Sequence, residues 1–199
     1  MRIKFSDVTD FPTVKGGIEG TLKELENKGN YKIPDEHNEK LGEYVEKSVQ
    51  EYISQYLCEK FPEIEIKNIP KNLQCGCDIV INYKKELVYL IEVKSVWKRS
   101  SDCSRVSMTD TQFNQATRHK DHYALFVANM TTVPHSVVEK SCLSSIKIED
   151  KISVYTDIGY LENYEEVKGV VNVVLEHLQQ KLSVRDFCEC LVSLINSRS

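Results

Sequence analysis

The sequence predicts an α/β protein in which a mixed central sheet is flanked by helices. Three observations carry that prediction. An apolar stripe of helical period runs from Glu39 to Phe61. Three strand-like runs follow it. A polar segment of helical character then leads into one continuous apolar run, the order of a helix followed by a buried strand.

Residues 1–38 have weak periodicity, a Gly-Gly pair and Pro34, and read as an irregular lead-in with one short helix over 18–27. In the long helix, Leu41, Val45, Val49, Ile53 and Leu57 recur every four residues, with Tyr52 and Tyr56 beside them, and Pro62 closes the run. EIEIKNI (63–69) alternates like an edge strand and ends at Pro70. CDIVINY and LVYLIEVKSV form a hairpin about the tip Lys84-Lys85-Glu86. A polar loop (98–107) precedes the helix TDTQFNQATRHK, for which Thr109 or Asp110 is the N-cap. HYALFVANM (122–130) is a buried strand. Then come a helix from Pro134, the strand KISVYT, and a helix over 166–179. A last amphipathic helix begins at Ser183 and uses Val184, Phe187, Leu191 and Leu194. The organisation is thus a lead-in (1–38), a core (39–160) and a helical C-terminal extension packed on the core (161–199). There is no internal repeat and no low-complexity segment.

Composition narrows the class. Hydrophobic residues at 41% and charged residues at 28% suit a soluble globular chain. No stretch approaches the ~20 apolar residues of a membrane span. MRIKFSDVTDF carries charges where a secretory peptide needs its apolar segment, which points to an intracellular protein of cytoplasm or nucleus. The seven cysteines are odd in number and partly in tight C-x-C pairs, so they read as buried or idle thiols rather than disulfides or metal ligands. A net charge of −4 excludes a basic field over the whole molecule. A local track remains, with Lys94, Lys98, Arg99, Arg105, Arg118 and Lys120 against Asp102 and Asp110. Lys98, Arg99, Arg105, Arg118 and Lys120 are candidate phosphate contacts; a solvated loop is the competing account.

The hairpin holds the chemistry. With Lys85 at its centre, Tyr83 faces Leu87, Asn82 faces Val88, Val80 faces Leu90 and Asp78 faces Glu92. Opposite residues on one face hold their Cβ atoms about 4.5–5.5 Å apart, and Lys94 points to the same face. Two carboxylates that close repel unless something positive lies between them. Mg²⁺, with Mn²⁺ as substitute, is the natural occupant, with Asp78 and Glu92 as ligands. A metal-held water oriented by Lys94 would suit attack on a phosphodiester. Glu-x-Lys alone means little, since Glu26, Glu65, Glu149 and Glu166 also begin one. Only Glu92 combines an apolar strand with an upstream Asp in register. A cross-strand charge cluster at a wet sheet edge is the competing account.

Asp…Glu-x-Lys on a hairpin after a long helix resembles the PD-(D/E)xK nuclease superfamily. GEYVEKSV, CGCDIV, IEVKSV and SMTDTQFNQATRHKDHYALF together resemble the C-terminal domain of the plant protein NO VEIN, also found in bacterial restriction and defence proteins, over roughly 40 to 130. The resemblance implies a restriction-endonuclease-like αβββαβ core, Mg²⁺-dependent DNA cleavage in catalytic members, and frequent fusion to helicases or Hsp90-like ATPases. It makes Asp78 and Glu92 the metal-binding carboxylates and Lys94 the catalytic lysine. The family's Gly-Glu falls on Glu43, yet its apolar spacing fits Glu46 better. Glu46 lies about 80° from the centre of the apolar stripe and Glu43 about 140°, at 100° per residue. Both are candidates for an outer contact to a metal-held water. Where the family tends to have Asn-Glu, this chain has Thr111-Gln112, followed by Gln115; the glutamines can hold a phosphate, a base edge or the lysine, or be surface residues. His119 and His122 flank the basic track and have no part in a metal-and-lysine scheme.

Three functions compete: a metal-dependent endonuclease acting on DNA, a catalytically silent nucleic-acid-binding module of the same fold, and a protein-interaction domain whose C-terminal helices dock a larger partner. Fold alone does not choose among them.

Overall fold

The computed structural model describes residues 35–70, 75–96, 104–133 and 147–198. The helices expected over 18–27 and from Pro134 lie outside these residues, as do Lys98 and Arg99. The chain divides into two compact units, Met1–Leu41 with Thr132–Ile146, and Gly42–Thr131 with Lys147–Ser199. Of the first, the described part is the opening of helix α1 and Thr132–Val133. The other described residues belong to the second.

Helix α1 (Asp35–Leu57) begins before Leu41, the first of the five apolar residues spaced by four, and stops at Leu57, the last of them. Val45, Val49, Ile53 and Leu57 are fully buried, as a four-residue period requires of one helix face. Gln50 donates its side-chain amide to the carbonyl of Ile66 (3.1 Å), tying the helix to the first strand.

The main sheet takes β1 (Ile64–Asn68), β2 (Ile79–Tyr83), β3 (Glu86–Val96), β5 (Tyr123–Asn129), β6 (Ile152–Tyr155) and β9 (Lys181–Leu182), in the order β1-β2-β3-β5-β6-β9. β3 and β5 are parallel and the other neighbours antiparallel. The mixed sheet expected from the sequence is thus present. Between β3 and β5 the chain runs through β4 (Arg105–Thr109) and α2 (Asp110–His119), because a parallel pair needs a crossover.

Three local expectations change. The β2–β3 turn has two residues, Lys84 and Lys85, both at positive φ (51° and 68°), rather than a three-residue tip. Such a turn matches the twist of its strands, and an irregularity between Ile81 and Asn82 absorbs the shift. Asn82 therefore faces Leu87 and Tyr83 faces Glu86, while Val80 still faces Leu90 and Ile79 faces Ile91. Secondly, residues 105–107 belong to a strand rather than a loop. Val106 and Met108 are buried and alternate with exposed Arg105, Ser107 and Thr109.

Thirdly, residues 166–179 are not helical. β7 (Glu165–Val167) and β8 (Val170–Val174) form a hairpin that joins β4 in a second sheet, ordered β4-β8-β7. Val167, Val170, Val171, Val174, Leu175 and Leu178 do follow a helical period. Valine's stiff χ1 disfavours the helix, however, and Lys168 and Gly169, at φ 52° and 77°, supply a two-residue hairpin turn. Within the C-terminal extension, the α-helix is α3 (Val184–Asn196), opened by a Ser183–Asp186 capping box. It buries Val184, Phe187, Cys188, Leu191 and Ile195, so Ile195 takes the place expected for Leu194.

The sheet has apolar cover on both faces. Leu90, Tyr123, Leu125 and Val127 share one cluster with Phe113 and Ala116 of α2 and with Val106, Met108, Val171 and Val173 of the second sheet. Elsewhere Phe187 of α3 meets Tyr89 and Phe126 edge-on, with centroids 5.0 and 5.1 Å away. Phe187→Ala should therefore cost about 3–5 kcal/mol, read in denaturant unfolding as a lower midpoint at unchanged slope.

Candidate active site

β3 is central and paired on both sides, and its residues from Val88 to Val93 are buried on either face. Glu92 keeps only 1% of its surface exposed and is the single charged residue among the described buried ones. An isolated carboxylate there would be costly, so what surrounds it matters.

Lys94, two residues on and on the same face, reaches Glu92 Oε1 at 2.8 Å. From α2, Gln112 donates Nε2 to the same oxygen at 2.5 Å and accepts from Lys94 Nζ at 3.1 Å on its own Oε1. Gln112 Oε1 also accepts from the backbone N–H of Thr109 (2.8 Å), while Thr109 Oγ1 accepts from Gln112 N–H (3.3 Å). That reciprocal pair is the capping box that starts α2.

Asp78 precedes β2 and is held between strands. Its N–H donates to Ile91 O (2.8 Å), its carbonyl accepts from Ile69 N–H (2.7 Å), and its Oδ2 accepts from Val93 N–H (2.7 Å). The Asp78 carboxyl lies close enough to Glu92 to share a proton with it. When both are ionised neither can donate, and Glu92 Oε2 is buried without a hydrogen-bond partner. Burial raises the Glu92 pKa from 4.5 to about 7, with Asp78 adding to the rise and Lys94 opposing it.

Gly76 brings the Asp78 loop onto α2. Its φ is 75°, and a Cβ there would lie 2.7 Å from Thr111 O and 2.8 Å from Gln115 Cγ. The buried Tyr123 hydroxyl donates to Gly76 O at 3.0 Å. Cys77, next along, is buried, and burial with the nearby Glu92 and Asp78 pushes its thiol up to about 12, which leaves it inert.

The result is a cleft of about 460 Å³ lined by Asp78, Glu92, Lys94 and Gln112, with Glu46, Thr109 and Thr111 on its walls. A larger cavity of about 560 Å³, bordered by Asp121, Asp157 and His177, lies apart from the lysine and the buried carboxylate. Asp157 there already accepts from the N–H groups of Gln179 and Gln180.

Of the residues singled out in the sequence, Asp78, Glu92, Lys94, Gln112 and Glu46 come together. Exposed Glu43 is not among the residues lining the cleft, and Gln115 packs beside Gly76. Arg105 stands at the far end of β4, about 13 Å along the strand from Thr109. Arg118 and Lys120 sit at the opposite end of α2 from Gln112, with Lys120 Nζ 5.2 Å from the Tyr160 ring centre. His122 Nδ1 lies 3.0 Å from Val88 O. Sequence reasoning passed over Thr109 as a partner of the site, Thr111, and Gly76. The glycine between two cysteines was a visible signal; the double use of a capping box was not.

Among the described residues no group of three or more His, Cys, Asp and Glu is arranged to hold a metal ion. Asp78 and Glu92 nevertheless fit a hard divalent cation. Each is a carboxylate, they adjoin, and Glu92 Oε2 has no donor to satisfy it. A cation of that kind binds few protein groups and keeps several waters.

Residues 45–139 match the family model described as Protein NO VEIN, C-terminal. The match bears out the resemblance read from the sequence, and it starts after Glu43 but includes Glu46. It contains every residue of the Glu92 cluster and ends before β6, the β7–β8 hairpin and α3. No curated protein and no solved structure matches the chain.

Two outcomes follow from the geometry. Gly76→Ala should destabilise the protein by about 1–3 kcal/mol, since a side chain there meets both positive φ and the α2 backbone; thermal unfolding measures it. For Glu92, in metal-free protein, the unfolded chain loses its proton near 4.5 and the folded chain near 7. Stability should fall as pH rises through that window, by up to about 3 kcal/mol. Glu92→Gln should flatten this fall and be the more stable form at pH 8 in EDTA, measured by urea unfolding at several pH values.

Proposed function

We propose that this chain is a metal-dependent endonuclease-like domain that hydrolyses DNA phosphodiester bonds on a restriction-endonuclease-like αβββαβ core. The observation that carries the proposal is Glu92: a buried carboxylate with one oxygen held by Lys94 and Gln112 and the other without a donor, beside Asp78. A charge cluster meant only to neutralise itself gains nothing from a buried oxygen that goes unsatisfied whenever both carboxyls are ionised. Mg²⁺, or Mn²⁺ in its place, held by Asp78 and Glu92 would supply Lewis acidity and a polarised water.

The chain's own groups supply the rest. Lys94 has three N–H donors and spends two on Glu92 and Gln112, leaving one for a water or a phosphate oxygen. Its side chain is 24% exposed, so substrate can reach it. Glu46, on the cleft wall, is suited to an outer contact with bound water. Arg105, Arg118 and Lys120 would serve phosphates away from the scissile one; Lys98 and Arg99, outside the described residues, remain candidate phosphate contacts from the sequence. An intracellular restriction or defence setting, with a helicase or ATPase as partner or fused domain, fits this chemistry and the family resemblance.

A catalytically silent nucleic-acid-binding module is the second reading, favoured because among the described residues no group of three or more His, Cys, Asp and Glu is arranged to hold a metal ion. Lys94→Ala decides between them. With Mg²⁺ or Mn²⁺ on linear and supercoiled DNA, the variant should bind DNA and metal as wild type does and lose about 10²-fold or more in cleavage rate. Asp78→Asn should abolish metal binding in calorimetry. Wild-type protein that binds DNA and never cuts it gives the answer to the silent module.

A further inference from the structure

Gln112 is an ordinary capping residue by position and an unusual one by contact. In a capping box the third helical residue returns its side chain to the N-cap N–H, and Gln112 does so with Oε1. The same side chain also spans Lys94 and Glu92, so the start of α2 and the centre of β3 share one hydrogen-bonded unit.

The consequence lies in lone pairs. A carboxylate oxygen offers two acceptor sites, and Glu92 Oε1 receives Lys94 Nζ and Gln112 Nε2. Both are occupied. Oε2 is buried and has no donor. A carboxylate bridging two cations about 3.5–4 Å apart gives an oxygen to each; Glu92 has one to give, and Asp78 already spends Oδ2 on the N–H of Val93. We propose that Gln112, anchored by Thr109, is a positioning residue that commits Oε1 to the protein and leaves Oε2 as the Glu92 ligand atom, so that the site takes a single divalent cation. This rests on the metal-dependent reading above and selects a one-cation form of it.

Gln112 touches neither the cation nor the reacting atoms in this account; it acts through Glu92 and Lys94. Thr109 acts one step further back, through Gln112. Replacing the glutamine with an isosteric group that neither donates nor accepts should let the Glu92 carboxylate turn, and second-layer partners of this kind are worth roughly 10–100-fold in metal affinity.

The test needs no activity. Mn²⁺ is titrated into the purified full chain without DNA, with calorimetry for stoichiometry and affinity and the loss of the free-ion paramagnetic resonance signal as a second readout. Wild type should bind one Mn²⁺ per chain in a manner lost in Asp78→Asn. Gln112→Met should bind at least 10-fold more weakly, while Asn114→Ala, on the exposed face of the same helix and outside the cleft, should match wild type. Thermal unfolding in EDTA verifies that Gln112→Met is folded. Two Mn²⁺ per wild-type chain, both lost in Asp78→Asn, would overturn the inference without touching the metal-dependent reading, and this arm holds even if Gln112→Met fails to fold. A folded Gln112→Met with wild-type affinity would likewise overturn it. A wild type that binds no Mn²⁺ at all removes the metal-dependent reading and this inference together.

Discussion

One carboxylate, buried at the centre of a sheet, sets the terms for the rest of the cleft. Glu92 sits where its strand neighbours are apolar and its parallel partner is Leu125. Its desolvation is offset on one side by an ammonium and an amide, and left open on the other. The Asp78 loop, the capped start of α2 and Lys94 all converge on that point. Removing the carboxylate would leave Lys94 and Gln112 with each other, while the Asp78 loop would keep its own bonds to Ile91, Ile69 and Val93.

Much of this was legible from residue order, and the legible part has a common cause. Glu92 and Lys94 fall on a strand whose alternation fixes their face, and Asp78 directly precedes the strand paired with it, so spacing brings them together. The inner half of the hairpin keeps the predicted pairing although its outer half is one residue out, because the irregularity at Ile81–Asn82 lies on the turn side of the site. Helix geometry put Glu46 nearer the apolar stripe than Glu43, with both kept as candidates, and of the two it is Glu46 that lines the cleft. Local periodicity reaches as far as a single element extends.

What escaped the sequence depended on contacts between elements. The apolar residues from Val167 to Leu178 satisfy a helical period, yet valine content and a Lys-Gly turn make them a hairpin that completes a second sheet with β4. Neither strand of that pair announces the other across 60 residues of chain. Gln112 was visible as a polar helix residue, but its bonds to Glu92 and Lys94 arise only when α2 is laid against β3. Lys84 and Lys85 at positive φ carry no Asn-Gly signature to betray a two-residue turn.

The glycines bordering α2 have a consequence of their own. Gly76 meets the helix at Thr111 and Gly159 meets it at Ala116 and Lys120, in both cases main chain against main chain. A helix gripped this way cannot slide or roll by exchanging side chains, so its first turn keeps its station over β3. Its outward residues, among them Asn114 and Arg118, are exposed and take no part in that grip. They can therefore drift through evolution, changing what the surface prefers to touch, while the machinery beneath keeps its alignment.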